Sequence, residues 1–221
     1  MSIRILGLIL LLECAYAGVL SSQESKLNTS IGAGVTVPLG STSRVVGAGA
    51  NVTVGAGYNI SNHHSLIGEF MWSGLPAKTD ALRPIWIAAN ARDISASSNL
   101  FALTANYRFK LEGRVFGAYL IGGGGMYYRR ASLSREVVVG TGTACGPTWE
   151  WWGYGCVSGN VTSDQTLISA GSTALGGNIG AGFTIRFHEE GYKFYVESRY
   201  HYAPTRNIPT RLLSITLGVR Y

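Results

Sequence analysis

The chain has 221 residues, including 30 Gly and 12 Tyr, with only 14% charged residues and a formal net charge of +6. So few charges are unusual for a soluble protein, and no apolar run reaches the roughly 18 residues that a transmembrane helix needs. A membrane-spanning form of this chain must therefore be built from strands, while the length alone also fits one or two soluble domains.

The first element is a leader-like stretch. Arg4 precedes an apolar run from Ile5 to Leu12, and Ala15-Tyr16-Ala17 gives the small residues a signal peptidase requires, so residues 1–17 read as a cleaved secretory leader. The other reading is an N-terminal helix kept in the mature chain. Cys14 follows Glu13, which is too large for the residue before a lipidated cysteine.

Alternating runs then follow, with the two-residue period of strands whose faces differ. The first is Asn28 to Pro38, with Ile31, Ala33, Val35 and Val37 on one row and Gly32, Gly34 and Thr36 on the other. Gly49 to Ile60 sets Val52, Val54 and Tyr58 against Asn51, Thr53 and Asn59. Ser65 to Ser73 sets Leu66, Phe70 and Trp72 against Ile67, Glu69 and Met71. Gly74 to Ser98 reads as a long connection, because Pro76 and Pro84 oppose a regular central strand. Asn99 to Lys110 sets Phe101, Leu103, Ala105 and Tyr107 against Ala102, Thr104, Asn106 and Arg108.

Val115 to Arg129 is the fifth run, and Gly122 to Gly125 leave its parity open. Arg130 to Ser172 reads as the longest loop and holds Cys145, Cys156, Trp149, Trp151 and Trp152. The sixth run, Thr173 to Phe187, sets Ile179, Ala181, Phe183 and Ile185 against Asn178, Gly180, Thr184 and Arg186. Lys193 to Tyr202 sets Phe194, Val196, Ser198 and Tyr200 against Tyr195, Glu197, Arg199 and His201. The eighth, Arg211 to Tyr221, sets Leu213, Ile215, Leu217, Val219 and Tyr221 against Leu212, Ser214, Thr216, Gly218 and Arg220.

Eight runs joined by alternately long and short connections predict an all-β fold, an eight-stranded antiparallel up-and-down transmembrane barrel. Closure is required because lipid offers no partner to an open sheet edge. Arg or Lys facing lipid at mid-depth costs about 2–4 kcal/mol, so Glu69, Arg108, Arg186, Glu197, Arg199 and Arg220 are expected on the inner row, as a network that fills the lumen. Asn106 should also point in, and Leu103, Ala105, Val196 and Ser198 out. Interiors of eight-stranded barrels are just wide enough to be filled by side chains, and the Gly-Ala-Gly triplets starting at Gly32, Gly55 and Gly180 put their glycines on that crowded side. Aromatic girdles are expected from Tyr58, Tyr107, Phe109, Phe187, Phe194 and Tyr221 at the short-turn end, and from Trp72, Tyr200 and Tyr202 at the other. A soluble lipocalin-like barrel would invert the pattern, with the apolar row inside.

The last strand, Arg211-Leu-Leu-Ser-Ile-Thr-Leu-Gly-Val-Arg-Tyr221, resembles the closing strand of bacterial outer-membrane barrels, in which the final aromatic and the apolar residues at two-residue steps before it are read by the barrel-assembly machinery. On that resemblance Leu217, Val219 and Tyr221 are the assembly signal. From Asn28 to Tyr221 the chain is similar to small outer-membrane barrels of the OmpA/OmpX type. This implies a short periplasmic segment at 18–27, a barrel at 28–221 with a long external loop at about 130–172, and outer-membrane lipid and lipopolysaccharide as surroundings. A monomer without cofactor, metal or nucleic-acid partner is expected.

Export to an oxidising compartment favours a Cys145–Cys156 disulfide; neither cysteine has a second ligand at zinc spacing. The three tryptophans between them either pack over the loop, rest at the membrane surface, or contact an external partner. The resulting expectation is a non-enzymatic barrel with a structural, adhesive or surface-contact role carried by its loops. The alternatives are a narrow pore and a lipid A-modifying enzyme. The stretch Glu197 to His201 resembles that of the lipid A deacylases, but the position of their serine, two residues after the histidine, holds Ala203.

Overall fold

The computed structural model describes residues 26–78, 94–113, 115–147, 154–186, 192–205 and 207–221. The leader expected over 1–17 lies outside the described residues. Eight strands follow in order: β1 (Leu27–Pro38), β2 (Gly49–Asn59), β3 (His64–Pro76), β4 (Ile94–Glu112), β5 (Phe116–Pro147), β6 (Tyr154–Arg186), β7 (Lys193–Ala203) and β8 (Thr210–Arg220). Each pairs antiparallel with the next, and β1 pairs with β8, so the sheet closes on itself. A one-turn 3-10 helix, Thr42–Arg44, lies in the connection after β1.

Buried and exposed residues alternate along the strands. The enclosed row is largely polar, as with Asn51, Thr53, Thr104 and Asn106, while Leu103, Phe183, Leu175 and Leu217 stand outside at 57–77% exposure. Leaving such side chains in water would forgo about 1.5–3 kcal/mol each. Between the aromatic levels at the two ends, no outward position of the described strands carries Asp, Glu, Lys or Arg. This is a wall made for hydrocarbon, the reverse of a lipocalin.

Aromatic contacts mark both ends of that wall. Tyr192 and Tyr221 lie 5.2 Å apart at the short-turn end, where His64 stacks on Tyr107 at 5.8 Å. Towards the other end Phe70, Phe101 and Tyr128 form a row across β3, β4 and β5, with ring centres 6.3 and 6.2 Å apart. Phe187, expected in the first girdle, lies outside the described residues.

The fifth strand, whose parity the sequence left open, buries Tyr119, Ile121 and Tyr127 and exposes Leu120, Met126 and Tyr128. Its glycine run allows a close approach to β4. A Cβ at Gly125 would lie 2.7 Å from the Thr104 Cα, and one at Gly123 would lie 2.7 Å from the Asn106 Cα.

Two expectations are corrected. Pro76 does not lie in a loop: β3 continues to it, and Gly74, Leu75 and Pro76 pair with Asn99, Ser98 and Ser97. The proline is tolerated because it is the terminal residue of its strand. The segment 130–172 is not a loop over its described residues either, since β5 and β6 continue as one ladder from the barrel to the Pro147–Tyr154 pair, with register shifts at Leu133/Ser134 and Val138/Gly140.

Candidate functional site

The buried side chains of the inner row lie in layers. At the centre of the barrel β3 and β7 bring three charges together. The Arg199 guanidinium donates to both Glu69 oxygens, at 2.5 and 3.1 Å, and to Glu197 Oε1. The Tyr119 hydroxyl donates to Glu197 Oε2 at 2.9 Å and accepts from Arg220 Nη2 at 3.1 Å. Arg220 lies between the Tyr119 and Tyr195 rings, at 4.6 and 4.7 Å, and Arg108 lies 5.1 Å from the Tyr119 centroid. All five charged residues are buried. Glycines make room for the rings: a Cβ at Gly182 would lie 2.8 Å from Tyr119 Cε1, and one at Gly218 would lie 2.7 Å from Tyr195 Cε1.

Such a buried group is stable only as a set. Desolvation of each ion is offset by its partners, and removing one partner leaves an uncompensated charge at a cost of about 3–5 kcal/mol. Arg186, expected with this group, sits elsewhere. It lies at the short-turn rim, 3.5 Å from Glu112, which also pairs with Lys193. The short register of β6 there places Arg186 opposite Lys193, at the strand end.

One layer towards the long-connection end, His201 has Tyr127 Oη 3.1 Å from Nδ1 and Ser214 Oγ 3.1 Å from Nε2. A serine beside a histidine is the pattern of an activated nucleophile, but here the third group is a phenol, and Ser214 Oγ also donates to the Arg199 carbonyl at 3.3 Å. The three side chains join β5, β7 and β8. Ala203, at the position compared with the deacylase serine, is buried in the layer above.

That layer is apolar and was not expected. Met71, Leu75, Leu100, Ala102, Tyr127, Ala203 and Leu212 pack together with Val46, which enters from the β1–β2 connection. The connection is tied down by hydrogen bonds. The Thr42 hydroxyl donates to the Pro209 carbonyl at 2.8 Å and accepts from the Arg211 N–H at 3.0 Å, while Gly47 N–H donates to the Pro76 carbonyl at 2.7 Å. Across the mouth, Arg129 Nη1 donates to the Ile208 carbonyl at 3.0 Å. The signal was present in the sequence: Met71, Leu75, Leu100 and Leu212 are apolar residues on the otherwise polar row, all near the same end.

Above the barrel stands the β5–β6 ribbon. β4 pairs with β5 as far as Arg135, and β7 pairs with β6 only as far as Gly177. From Gly176 back to Tyr154 the β6 edge facing β7 therefore has no neighbour among the described strands. Beyond Arg135 the ladder is two-stranded among the described residues, and Glu136–Pro147 at about 3.3 Å per residue reaches roughly 40 Å. Cys145 and Cys156 are directly opposed near its tip and joined by a disulfide. Trp149, Trp151 and Trp152 lie outside the described residues. At the other end Leu217 faces outward and Tyr221 pairs through its backbone with Thr29, at 3.0 and 2.9 Å.

Comparison with known proteins gives a consistent picture. Residues 7–221 match the family model described as the outer membrane protein beta-barrel domain. Among solved structures, the chain is similar to the attachment invasion locus protein Ail of Yersinia pestis, with 14% identity, a TM-score of 0.51, and coverage of 90% of this chain and 100% of that one. It is also similar to Neisserial surface protein A, with 15% identity, a TM-score of 0.52 and coverage of 89% and 96%. A major outer membrane protein from Thermus thermophilus gives 12% identity, a TM-score of 0.50 and coverage of 89% and 99%. A search of curated proteins finds no match.

Proposed function

Because the chain belongs to the outer membrane protein β-barrel family and resides in the bacterial outer membrane, we propose that it is a non-enzymatic surface-contact protein whose β5–β6 ribbon projects outside the cell and takes up an extended segment of an external protein. The carrying observation is the β6 edge, which has no partner among the described strands. Natural sheets blunt such edges with Lys, Pro, bulges or short strands; this edge has one register shift, at Leu167, but from Val157 to Gly176 it has no Lys, Arg or Pro and only one acidic residue, Asp164. A ladder of free N–H and C=O groups binds another strand through backbone hydrogen bonds. The disulfide holds the two ribbon strands together at the far end, which reduces the ordering cost of binding.

In this proposal the lumen is a strut. The Glu69–Arg199–Glu197 group and the apolar layer under Val46 lie across the path that a solute would take, so the purified barrel is expected to give no conductance steps in a planar bilayer. The solved structures, at 12–15% identity, speak for the fold, and the role rests on this chain's own ribbon.

Cells displaying the intact chain are compared with cells displaying a form in which residues 136–165 are replaced by a two-residue turn. Retention is measured on surfaces coated with collagen, fibronectin or albumin, at matched amounts of heat-modifiable barrel. The intact form is expected to be retained about tenfold more on at least one surface, corresponding to about 1.4 kcal/mol. Equal retention on all three would sink the proposal.

A further inference from the structure

The inner row of the barrel carries more positive charge than its carboxylates answer. Arg199 takes both oxygens of Glu69 and one of Glu197, and the remaining Glu197 oxygen accepts from the Tyr119 hydroxyl. Every carboxylate oxygen of this cluster is therefore in use, and the cluster as a whole carries one negative charge. Arg108 and Arg220, gathered at the same Tyr119 ring, add two positive charges, so one positive charge is left over. Glu112, the other described carboxylate towards the short-turn end, is held by Arg186 and Lys193 at the rim, and Lys110 beside it brings a further cation.

Arg108 is the cation with the fewest partners. It is 1% exposed, and its Nε has no hydrogen-bond partner among the described residues. Its guanidinium rests near the Tyr119 ring, and the neighbouring charge that repels it most strongly is Arg220. Arg220 is better supported, since it donates to the Tyr119 hydroxyl at 3.1 Å and lies between two rings, although its Nε is also without a partner among the described residues. The two side chains come from β4 and β8, four strands apart in a closed barrel of eight, and so enter from opposite walls.

Ring faces attract a cation but do not cancel its charge. Water satisfies an N–H and likewise leaves the charge in place, and a buried ion without a counter-charge is costly. The group that suits Arg108 is therefore an anion, which also accepts the strongest kind of N–H hydrogen bond. Its size and valence follow from the surroundings. The excess is one charge, and Tyr119, Tyr195, Ile67 and Ile121, all buried, line this layer with rings and aliphatic side chains. We propose that the barrel interior binds one small monovalent anion of the chloride class, held against Arg108 and neutralising the excess charge that Arg108 shares with Arg220. The site rests on the inner row alone and not on what the ribbon binds.

The full chain, folded in detergent, is titrated with urea in sodium chloride and in sodium gluconate of equal ionic strength, gluconate being too large for the layer. The folded fraction is read from the heat-modifiable gel shift. An anion present at ten times its dissociation constant raises the folding constant about tenfold, and this is the advantage expected in chloride. Arg108→Met should lose the advantage, and in gluconate it should be at least as stable as the native chain, because it removes the cation that lacks a counter-charge. A residue with a packing role alone would instead lower stability equally in both salts. Ile121 stands directly opposite Arg108 on β5, so Ile121→Glu supplies a fixed carboxylate and should also abolish the response to chloride. Arg186→Gln, at the rim, should keep it. Position is read without any variant: crystals of the native chain grown in bromide should show an anomalous-scattering peak in contact with the Arg108 guanidinium, and this peak decides the matter if Arg108→Met and Ile121→Glu do not fold. Equal stability of the native chain in the two salts, a chloride response that survives in Arg108→Met or disappears in Arg186→Gln, or bromide crystals without a peak at Arg108 overturns the site.

Discussion

The same two strands pass through two solvents. Within the barrel, Phe116 to Tyr128 of β5 bury Tyr119, Ile121 and Tyr127 and expose Leu120 and Met126, because one face meets the barrel interior and the other meets lipid. In the ribbon, Val139 to Thr143 and Gln165 to Gly171 are exposed on both faces. Backbone pairing continues without a break between the two regions. Face contrast is therefore a record of the surroundings, whereas strand pairing is carried by the backbone and the neighbouring strand, and the two separate wherever a ladder leaves its core.

The largest effect that would break this comparison lies at the centre of the barrel. Arg199→Met leaves Glu69 and Glu197 as buried carboxylates without their shared cation, and stability should fall by about 3–5 kcal/mol. The expected readout is loss of the heat-modifiable gel shift at a markedly lower urea concentration than for the native chain. A variant that unfolds alongside the native protein would show that water reaches this group.

Glycines give a matched pair across the two regions. Gly125→Ala places a Cβ 2.7 Å from the Thr104 Cα and against the Leu103 carbonyl, so β4 and β5 must move apart, at about 1–3 kcal/mol. Gly159→Ala in the ribbon meets nothing within 4 Å and should stay within about 0.5 kcal/mol of the native chain. Urea titrations of both variants check this. Equal losses would mean that the ribbon packs against something as closely as the barrel does.

Much of this was legible in the residues, for a physical reason. The strands from Leu27 to Lys110 and from Lys193 to Arg220 alternate because lipid and lumen demand different side chains at every second position. Arg108 and Arg199 could be placed on the enclosed row because their charge is expensive outside. The ribbon was not legible, since Ser, Thr and Gly facing water on both sides leave no period to read, and it looked like a loop. The apolar layer was legible only in part: Met71, Leu100 and Leu212 stand out as apolar residues on the inner row, but that they pack together with Val46 follows only from closure of the barrel. The partners of His201 were out of reach as well, because Tyr127 comes from β5, far away in sequence, and Ser214, although on the next strand, is placed beside the ring only by the β7–β8 register.

Opening the disulfide should act on one region only. With Cys145→Ser and Cys156→Ser together, the loop-closure contribution of about 3 kcal/mol is lost, but it concerns only the far end of the ribbon. Amide exchange or limited proteolysis between residues 136 and 165 should rise several-fold, with the barrel's gel shift unchanged. Barrel unfolding on reduction would mean that ribbon and barrel form one cooperative unit.

The smallest effect on stability carries the sharpest test of what the ribbon is for. Ile168 on β6 is 64% exposed, on the edge that no described strand pairs with. Within the barrel, an outward Ile179→Lys would set a charge in lipid at a cost of about 2–4 kcal/mol if it lies near mid-depth. At Ile168 the same change meets water, so stability should stay within about 0.5 kcal/mol of the native value. Lysine is also the residue by which natural sheets keep their edges from pairing, so Ile168→Lys should lower retention on protein-coated surfaces towards the level of the shortened form while leaving the folded barrel intact. Lower retention with a native urea midpoint would locate the contact on this edge. If the variant is retained as well as the native chain, then the β6 edge at this position is not where an external strand adds; if the midpoint falls by more than about 1 kcal/mol, the ribbon face at Ile168 is packed and not in water.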